Sequence, residues 1–287
     1  MERNGPCWCG SGKKWKKCHY PEKPGLDLRA TYKKKYGILL KDADEVSKIE
    51  KACETASSIL LELCDAAKKG VTTFELDQLS TELHKKKGAK PAALHYGSPP
   101  FPFGICTSIN EEICHGFPRK TPLKKGDIVN IDVASIVDGY YGDCSAMVII
   151  DETTEERQKV VDTSYEALME AIKICKPGTY MEEIGEVIES VAKKNHCSVV
   201  NQFVGHGVGK HFHEPPQVCH HRHPCKIAMA PGMTFTIEPM INAGKREAVL
   251  EENNWTALTI DKKPSAQWEH TILITESGHR ILTKITP

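Results

Sequence analysis

Between residues 42 and 88 apolar side chains return every three or four positions, the spacing of a buried helical face. Val46, Ile49, Cys53, Ala56, Leu60 and Leu63 make the first stripe. Asp42-Ala43-Asp44-Glu45 opens it as a capping box, and Lys68-Lys69-Gly70 closes it. Leu76, Leu79 and Leu83 predict a second helix over about residues 73–87, with Gly88 just after it. The pattern then becomes strand-like: NIDVASIVDGYYGDCSAMVII turns at Asp138-Gly139, and TFTIEPM and QWEHTILI read the same way. A long amphipathic helix follows the first of these over 154–176, ending in Lys-Pro-Gly. Thr179-x-x-Glu182 then predicts a cap for its successor.

These elements repeat. KKGVTTFELDQLSTEL lies over KPGTYMEEIGEVIESV at an offset of 108, with Gly70 on Gly178, Glu75 on Glu183 and Leu76 on Ile184. KKGDIVNIDV lies over APGMTFTIEP at a similar offset, which puts Asp132 on Glu238. The next strand of each half then pairs Asp143 with Glu269. The period is too long and the copies too few for a solenoid. The expected architecture is an α+β domain of two helix–helix–hairpin halves, mainly antiparallel, with the helices packed on one side. A pseudo-twofold between the halves would bring two carboxylates from each to a shared groove.

The zero formal charge hides an asymmetry. Residues 1–41 hold 11 Lys and Arg against 3 Asp and Glu, leaving 27 against 35 in the remainder. A basic arm on an acidic body points to a polyanionic partner for the arm. The beginning of the chain has no apolar signal region, and no stretch approaches the roughly 20 apolar residues of a membrane span. Of twelve cysteines, three cluster near the beginning with metal-ligand spacing. Cys53, Cys64, Cys175 and the others fall in apolar or helical contexts, as reduced thiols of a cytoplasmic protein do. The chain divides into a cysteine-bearing segment at 1–24, a basic linker at 25–41 and one large domain at 42–287.

Asp132, Asp143, His206, Glu238 and Glu269 each stand beside a strand-like run. Four carboxylates gathered in a buried site repel one another and push each other's pKa upward unless cations neutralise them. One imidazole with four carboxylates has the stoichiometry of a two-metal hydrolytic centre. The segments NIDVASIVDGYYGDCSAM, GHGVGKHFHEPPQV, FTIEPM and QWEHTI resemble, in order, the motifs of type I methionine aminopeptidases, metallopeptidases of the pita-bread fold. The resemblance covers about residues 42–287, and the 32 positions from His206 to Glu238 leave no room for the insertion of type II members. It implies removal of the initiator methionine from nascent chains when the next residue is small, by attack of a metal-bridging hydroxide. It also implies metal ligation by Asp132, Asp143, His206, Glu238 and Glu269, with Asp143 and Glu269 bridging two divalent ions. The donor set accepts Co, Mn, Fe or Zn. Glu238 would carry the proton, His213 would stabilise the oxyanion and His115 would hold the amide beyond the cleaved bond.

A methionine side chain needs an apolar, polarisable slot. Phe212, Trp255 and Cys106 match pocket residues of the family, and Phe101 and Tyr96 are further candidates. The loop HYGSPPFPFGIC departs from the family pattern with Ser98 where an aromatic is usual, so Tyr96 is expected to fill that place. The His-rich stretch CHHRHPC at 219–225 reads as solvated loop without the spacing of an ordered metal site. Near the beginning, Cys7, Cys9, Cys18 and His19 form the donor set of a closed tetrahedral zinc site, and the segment resembles the small zinc motif of the SecA translocation ATPase. Trp8 and Trp15 among Lys13, Lys14, Lys16 and Lys17 suit an acidic partner, RNA or the ribosome. The whole is expected to act as a monomer. Competing expectations are a proline-directed enzyme of the aminopeptidase P and prolidase kind, a pita-bread binding protein without catalysis, and a zinc adaptor on an inert scaffold.

Overall fold

The computed structural model describes residues 2–5, 7, 12–20 and 27–284. Helix α1 (Leu28–Tyr36) starts where Asp27 accepts the Ala30 N–H and stops at Gly37 in the left-handed region. It belongs to the stretch read as a linker, yet it packs on the body. Tyr32 is buried and its hydroxyl donates to the Ala228 carbonyl at 2.9 Å, while Ile38 and Leu40 enter the main core. The lysines that dominate this segment mask the single aromatic face that docks it.

Helices α2 (Ala43–Ala66) and α3 (Thr73–Lys86) both begin with complete capping boxes, Asp42 with Glu45 and Thr72 with Glu75. Helix α4 (Glu155–Lys173) starts under a Thr154 cap and ends short of residue 176, because Pro177 cannot continue a helix. Helix α5 (Glu182–Lys194) lacks the cap expected from Thr179. The Thr179 hydroxyl instead donates to the Ile174 carbonyl at 3.1 Å, tying off the end of α4. What survives of the box is its glutamate: Glu183 accepts the Tyr180 N–H at 2.8 Å, as Glu75 accepts that of Thr72. Met181 stands at the cap position, and Tyr180, at the place matched to Thr72, offers no short hydroxyl to the helix.

Every strand ladder is antiparallel. In the first half, Ile128–Val137 pairs with Tyr140–Ile149 on one side and Cys106–Ile109 on the other. In the second half, Thr234–Ile237 pairs with His270–Ile274 and with Gly205–Gly207, which in turn pairs with Glu214–Val218. The halves repeat bond for bond. Thr72 bridges Pro122 as Tyr180 bridges Ala228, and Gly70 N–H donates to Leu123 as Gly178 N–H donates to Met229. Ile150 N–H donates to Asp127 as Ile274 N–H donates to Met233. Leu76 and Ile184, matched in the repeat, are both buried in one continuous core. The two sheets join where Glu269 N–H donates to the Ser145 carbonyl, so the site forms on the seam. This is the pita-bread arrangement, with its helices outside.

The segment at 12–20 lies against the start of α5. Tyr180 donates to the Lys17 carbonyl at 2.6 Å, and Lys13 sits over the Tyr180 ring, 3.7 Å from Glu183. Lys13 is thereby turned onto the body, leaving Lys14, Lys16 and Lys17 exposed. Among the described residues no helix is long and apolar enough to cross a membrane. Cys53, Cys64, Cys106, Cys114, Cys144, Cys175, Cys197, Cys219 and Cys225 are free thiols.

Candidate metal centre

In an antiparallel pair, directly opposed residues and those two removed share a face. Asp132 lies opposite Ser145, and Ala134 opposite Asp143, so both aspartates reach the same side as diagonal neighbours. Ile237 lies opposite His270 and Met240 opposite Gln267, one unbroken register. Glu238 and Glu269 therefore face each other in the gap between those two ladders. His206 enters from the neighbouring strand, between glycines that let the chains close in. A Cβ on Gly207 would fall 2.3 Å from the Pro215 carbonyl oxygen.

These side chains line one cavity of about 270 Å³. Asp143, His206 and Glu269 each place a donor atom within 4.8 Å of the others. His206 Nε2 lies 3.6 Å from Asp143 and 3.7 Å from Glu238. Its Nδ1–H donates to the Gly207 carbonyl at 3.0 Å, which leaves the Nε2 lone pair facing the carboxylates. Thr236 accepts the His206 N–H at 3.0 Å and donates to Glu238 Oε1 at 2.7 Å. Gln267 donates to Glu238 Oε2 at 3.1 Å.

Electrostatics favour a cation here. Burial first, and then the other carboxylates, hold Asp143 and Glu269 well above the usual carboxylate range. Burial pushes Asp132 up to about 7 and Glu238 up to about 8, the latter opposed by the Thr236 and Gln267 hydrogen bonds. Among the described residues no lysine or arginine lines the cavity, so no side chain supplies the neutralising charge. Asp143 Oδ1 is buried without a hydrogen-bond partner among them. An orphan carboxylate oxygen beside a free imidazole lone pair fits a divalent ion, and the hard oxygen donors suit Mn, Fe, Co or Zn.

Around this end the remaining predicted site residues converge on the same cavity: Tyr96, Phe101, Cys106, His115, Phe212, His213 and Trp255. His115 occupies the left-handed region at φ 56, a strained backbone of the kind found at functional positions. Burial lowers its pKa to about 4 and that of His206 to about 4, so both are neutral at pH 7. His213 stacks on Tyr96 with ring centroids 4.9 Å apart and lies 3.9 Å from the His206 ring. Tyr96 also packs on Phe212 at 4.9 Å. The loop turns beneath Trp255 at Gly97, where a Cβ would come within 2.5 Å of the indole and φ is +78. Trp255 is fixed further by donating Nε1–H to the Pro99 carbonyl at 3.0 Å. Phe101 forms the fully buried back wall, edge-on to Trp255.

Several lining and supporting residues escaped the sequence reading. Phe203 packs edge-on to His115 at 5.5 Å, and Gln202, Val204, Cys114 and Met240 complete the wall. Thr236 and Gln267 each lie two positions before a glutamate on a strand, a same-face spacing that could have flagged them. One reading is corrected outright. His220, in the stretch taken as solvated, is fully buried, and its Nε2 accepts the Glu238 N–H at 3.2 Å.

In the segment near the beginning, Cys7, Cys18 and His19 also bring donor atoms within 4.8 Å of one another. Both thiols lie 3.2 Å from His19 Nδ1. Cys9 and Trp8 lie outside the described residues.

Residues 47–276 match metallopeptidase family M24, and residues 3–21 match the SEC-C motif. The methionine aminopeptidase of Chlamydia muridarum is 60% identical over 287 residues, covering 99% of each chain. The solved methionine aminopeptidase of Rickettsia prowazekii superposes with a TM-score of 0.83 at 40% identity, covering 86% of this chain and 100% of its own. A prolidase of Pyrococcus furiosus superposes at 0.68 with 24% identity, over 86% of this chain and 66% of its own, a likeness of fold alone.

Proposed function

The chain belongs to metallopeptidase family M24, among its methionine aminopeptidases, and from that premise we propose that it removes the initiator methionine from nascent proteins whose second residue is small. The reading rests above all on one cavity lined by both a carboxylate–imidazole cluster and a set of aromatic side chains. Its volume of about 270 Å³ lies just below the roughly 300–1,000 Å³ usual for small-molecule sites, room for one terminal residue rather than a length of peptide.

Asp132, Asp143, His206, Glu238 and Glu269 would hold two divalent ions. Bound there, such ions neutralise the carboxylates, acidify a water and polarise the scissile carbonyl. Glu238 takes a proton from the attacking water and returns it to the departing amine. His213 donates to the carbonyl oxygen as it gains negative charge, and neutral His115 holds the amide that follows. Tyr96, Phe101, Cys106, Phe212 and Trp255 enclose the methionine thioether by shape and dispersion.

At the other end of the chain, Cys7, Cys9, Cys18 and His19 would hold one structural zinc, giving residues 1–24 a fold they are too short to reach by burial. Exposed Lys14, Lys16 and Lys17 would then meet RNA or the ribosome, with residues 42–287 as a monomeric, cytoplasmic catalytic domain. Deleting 1–24 should spare cleavage of a free Met-Ala-Ser peptide and abolish co-sedimentation with ribosomes. Undiminished co-sedimentation would refute the docking role.

The test of the reaction compares peptides beginning Met-Ala, Met-Lys and Ala-Pro, using metal-stripped protein and protein reloaded with Mn, Fe or Co. Methionine released from Met-Ala alone, lost on stripping and restored on reloading, supports the proposal. Equal processing of Ala-Pro would favour a prolidase-like specificity, and release that survives stripping would overturn the mechanism.

A further inference from the structure

A second set of metal donors stands on the outer side of the loop after Glu214–Val218. Cys219, His221 and His223 each bring a donor atom within 4.8 Å of the others. The series continues with Cys225, giving Cys-x-His-x-His-x-Cys, and Cys219, His223 and Cys225 line one surface groove. Cys225 lies in the same groove but outside the 4.8 Å cluster, while His220 points inward to the Glu238 N–H. His221 Nδ1 is buried and has no hydrogen-bond partner among the described residues. It is a nitrogen with a lone pair or proton that nothing satisfies, beside a thiol.

The loop is held at both ends. Before it runs the strand paired to His206; after it, Cys225 N–H donates to Glu182 at 2.9 Å, and Ala228 bridges Tyr180. Fixed ends keep the donors close without a ligand and reduce the ordering that binding would demand. Two thiols and two imidazoles form the donor set of a closed, four-coordinate zinc site. The hard oxygen set of the central cavity differs from it in kind.

We propose that Cys219, His221, His223 and Cys225 bind one structural zinc ion. The ion clamps the loop from outside and so holds His220 behind Glu238.

Cobalt distinguishes this site from the central cavity, because thiolate ligands give Co(II) a near-ultraviolet charge-transfer band that carboxylate and imidazole ligands do not; substitution removes the thiolates of the segment near the beginning. The full chain carrying Cys7→Ser, Cys9→Ser and Cys18→Ser removes all three thiolates from the segment near the beginning. Loaded with cobalt, that protein should still show the thiolate band. Adding Cys219→Ser and Cys225→Ser should abolish the band and lower bound cobalt by about one ion per chain. His221→Gln with His223→Gln, which leaves the thiols in place, should weaken zinc binding at least about tenfold while methionine release persists. Circular dichroism of each variant checks that it folds. A folded Cys7→Ser/Cys9→Ser/Cys18→Ser protein without the band would overturn the proposal. So would cobalt content unaltered by the Cys219 and Cys225 substitutions, or a Cys219–Cys225 disulfide recovered from reduced, zinc-supplemented protein.

Discussion

The two halves of the body share a backbone and differ in how their sheets meet the site. In the first half the hairpin is closed: Ile128–Val137 and Tyr140–Ile149 pair along their full length, and Asp132 and Asp143 sit diagonally across it. In the second half the same kind of hairpin opens where its candidate ligands stand. Pro239 has no N–H to offer, and the ladder that ends at Ile237 and His270 resumes at Met240 and Gln267. Ser164 of α4 takes up the backbone groups so freed, donating to the Pro239 carbonyl and accepting the Trp268 N–H. Glu238 and Glu269 are one methylene longer than the aspartates and reach in from this opened edge. The gap also admits His206 and the Thr236 and Gln267 side chains that hold Glu238. Duplication of a scaffold thus accounts for the paired carboxylates, and a broken ladder in one copy accounts for the site's asymmetry.

That contrast can be broken at several strengths. The largest effect should come from Asp143→Asn, which removes a charge both halves depend on. Its kcat/KM should fall by at least about a thousandfold, or ~4 kcal/mol of transition-state stabilisation. A variant keeping about a tenth of wild-type activity would show that the aspartate is not a ligand. Next come the matched core residues. Leu76→Ala and Ile184→Ala should each cost about 3 kcal/mol in denaturant unfolding, since both are fully buried at equivalent places. A marked difference between them would mean that the halves do not pack alike.

Smaller still, Thr236→Val should weaken metal binding about 10–100-fold, whereas Asn130→Ala should weaken it less, as titration calorimetry can measure. Both residues precede a candidate ligand by two positions, yet Thr236 holds Glu238 itself, and Asn130 donates to the Gln267 carbonyl across the seam. The smallest effect belongs to the caps: Thr72→Ala should cost about 1 kcal/mol of stability. Tyr180→Phe should leave α5 intact, because that helix begins without a side-chain cap.

The helices and the repeat were legible because they rest on period and cap chemistry, which are local. The five candidate ligands were legible because the repeat placed four of them in register and the motifs enclosed the fifth. The failures have a common cause in distant partners. Helix α1 was hidden because Tyr32 finds its acceptor at Ala228, far along the chain. His220 was misread because its burial depends on an N–H eighteen residues later that a broken ladder exposes. Thr179 was given to the wrong helix because a β-branched hydroxyl serves a preceding carbonyl as readily as a following N–H.

The central claim is that buried carboxylates from both halves are held together by cations, and pH exposes it. Asp132 at about 7 and Glu238 at about 8 keep protons in the folded, metal-free protein that the unfolded chain gives up near pH 4. The unfolded state then binds fewer protons, so stability falls as pH rises from about 4 to 8. Divalent ions replace those protons, and their binding tightens over the same range. The decisive measurement is the Tm of metal-stripped and Mn-loaded protein across that window, beside the Asp143→Asn variant. The account predicts a gap between the two wild-type curves that widens with pH and collapses in the variant. Parallel curves, or a gap that Asp143→Asn leaves unchanged, would contradict it.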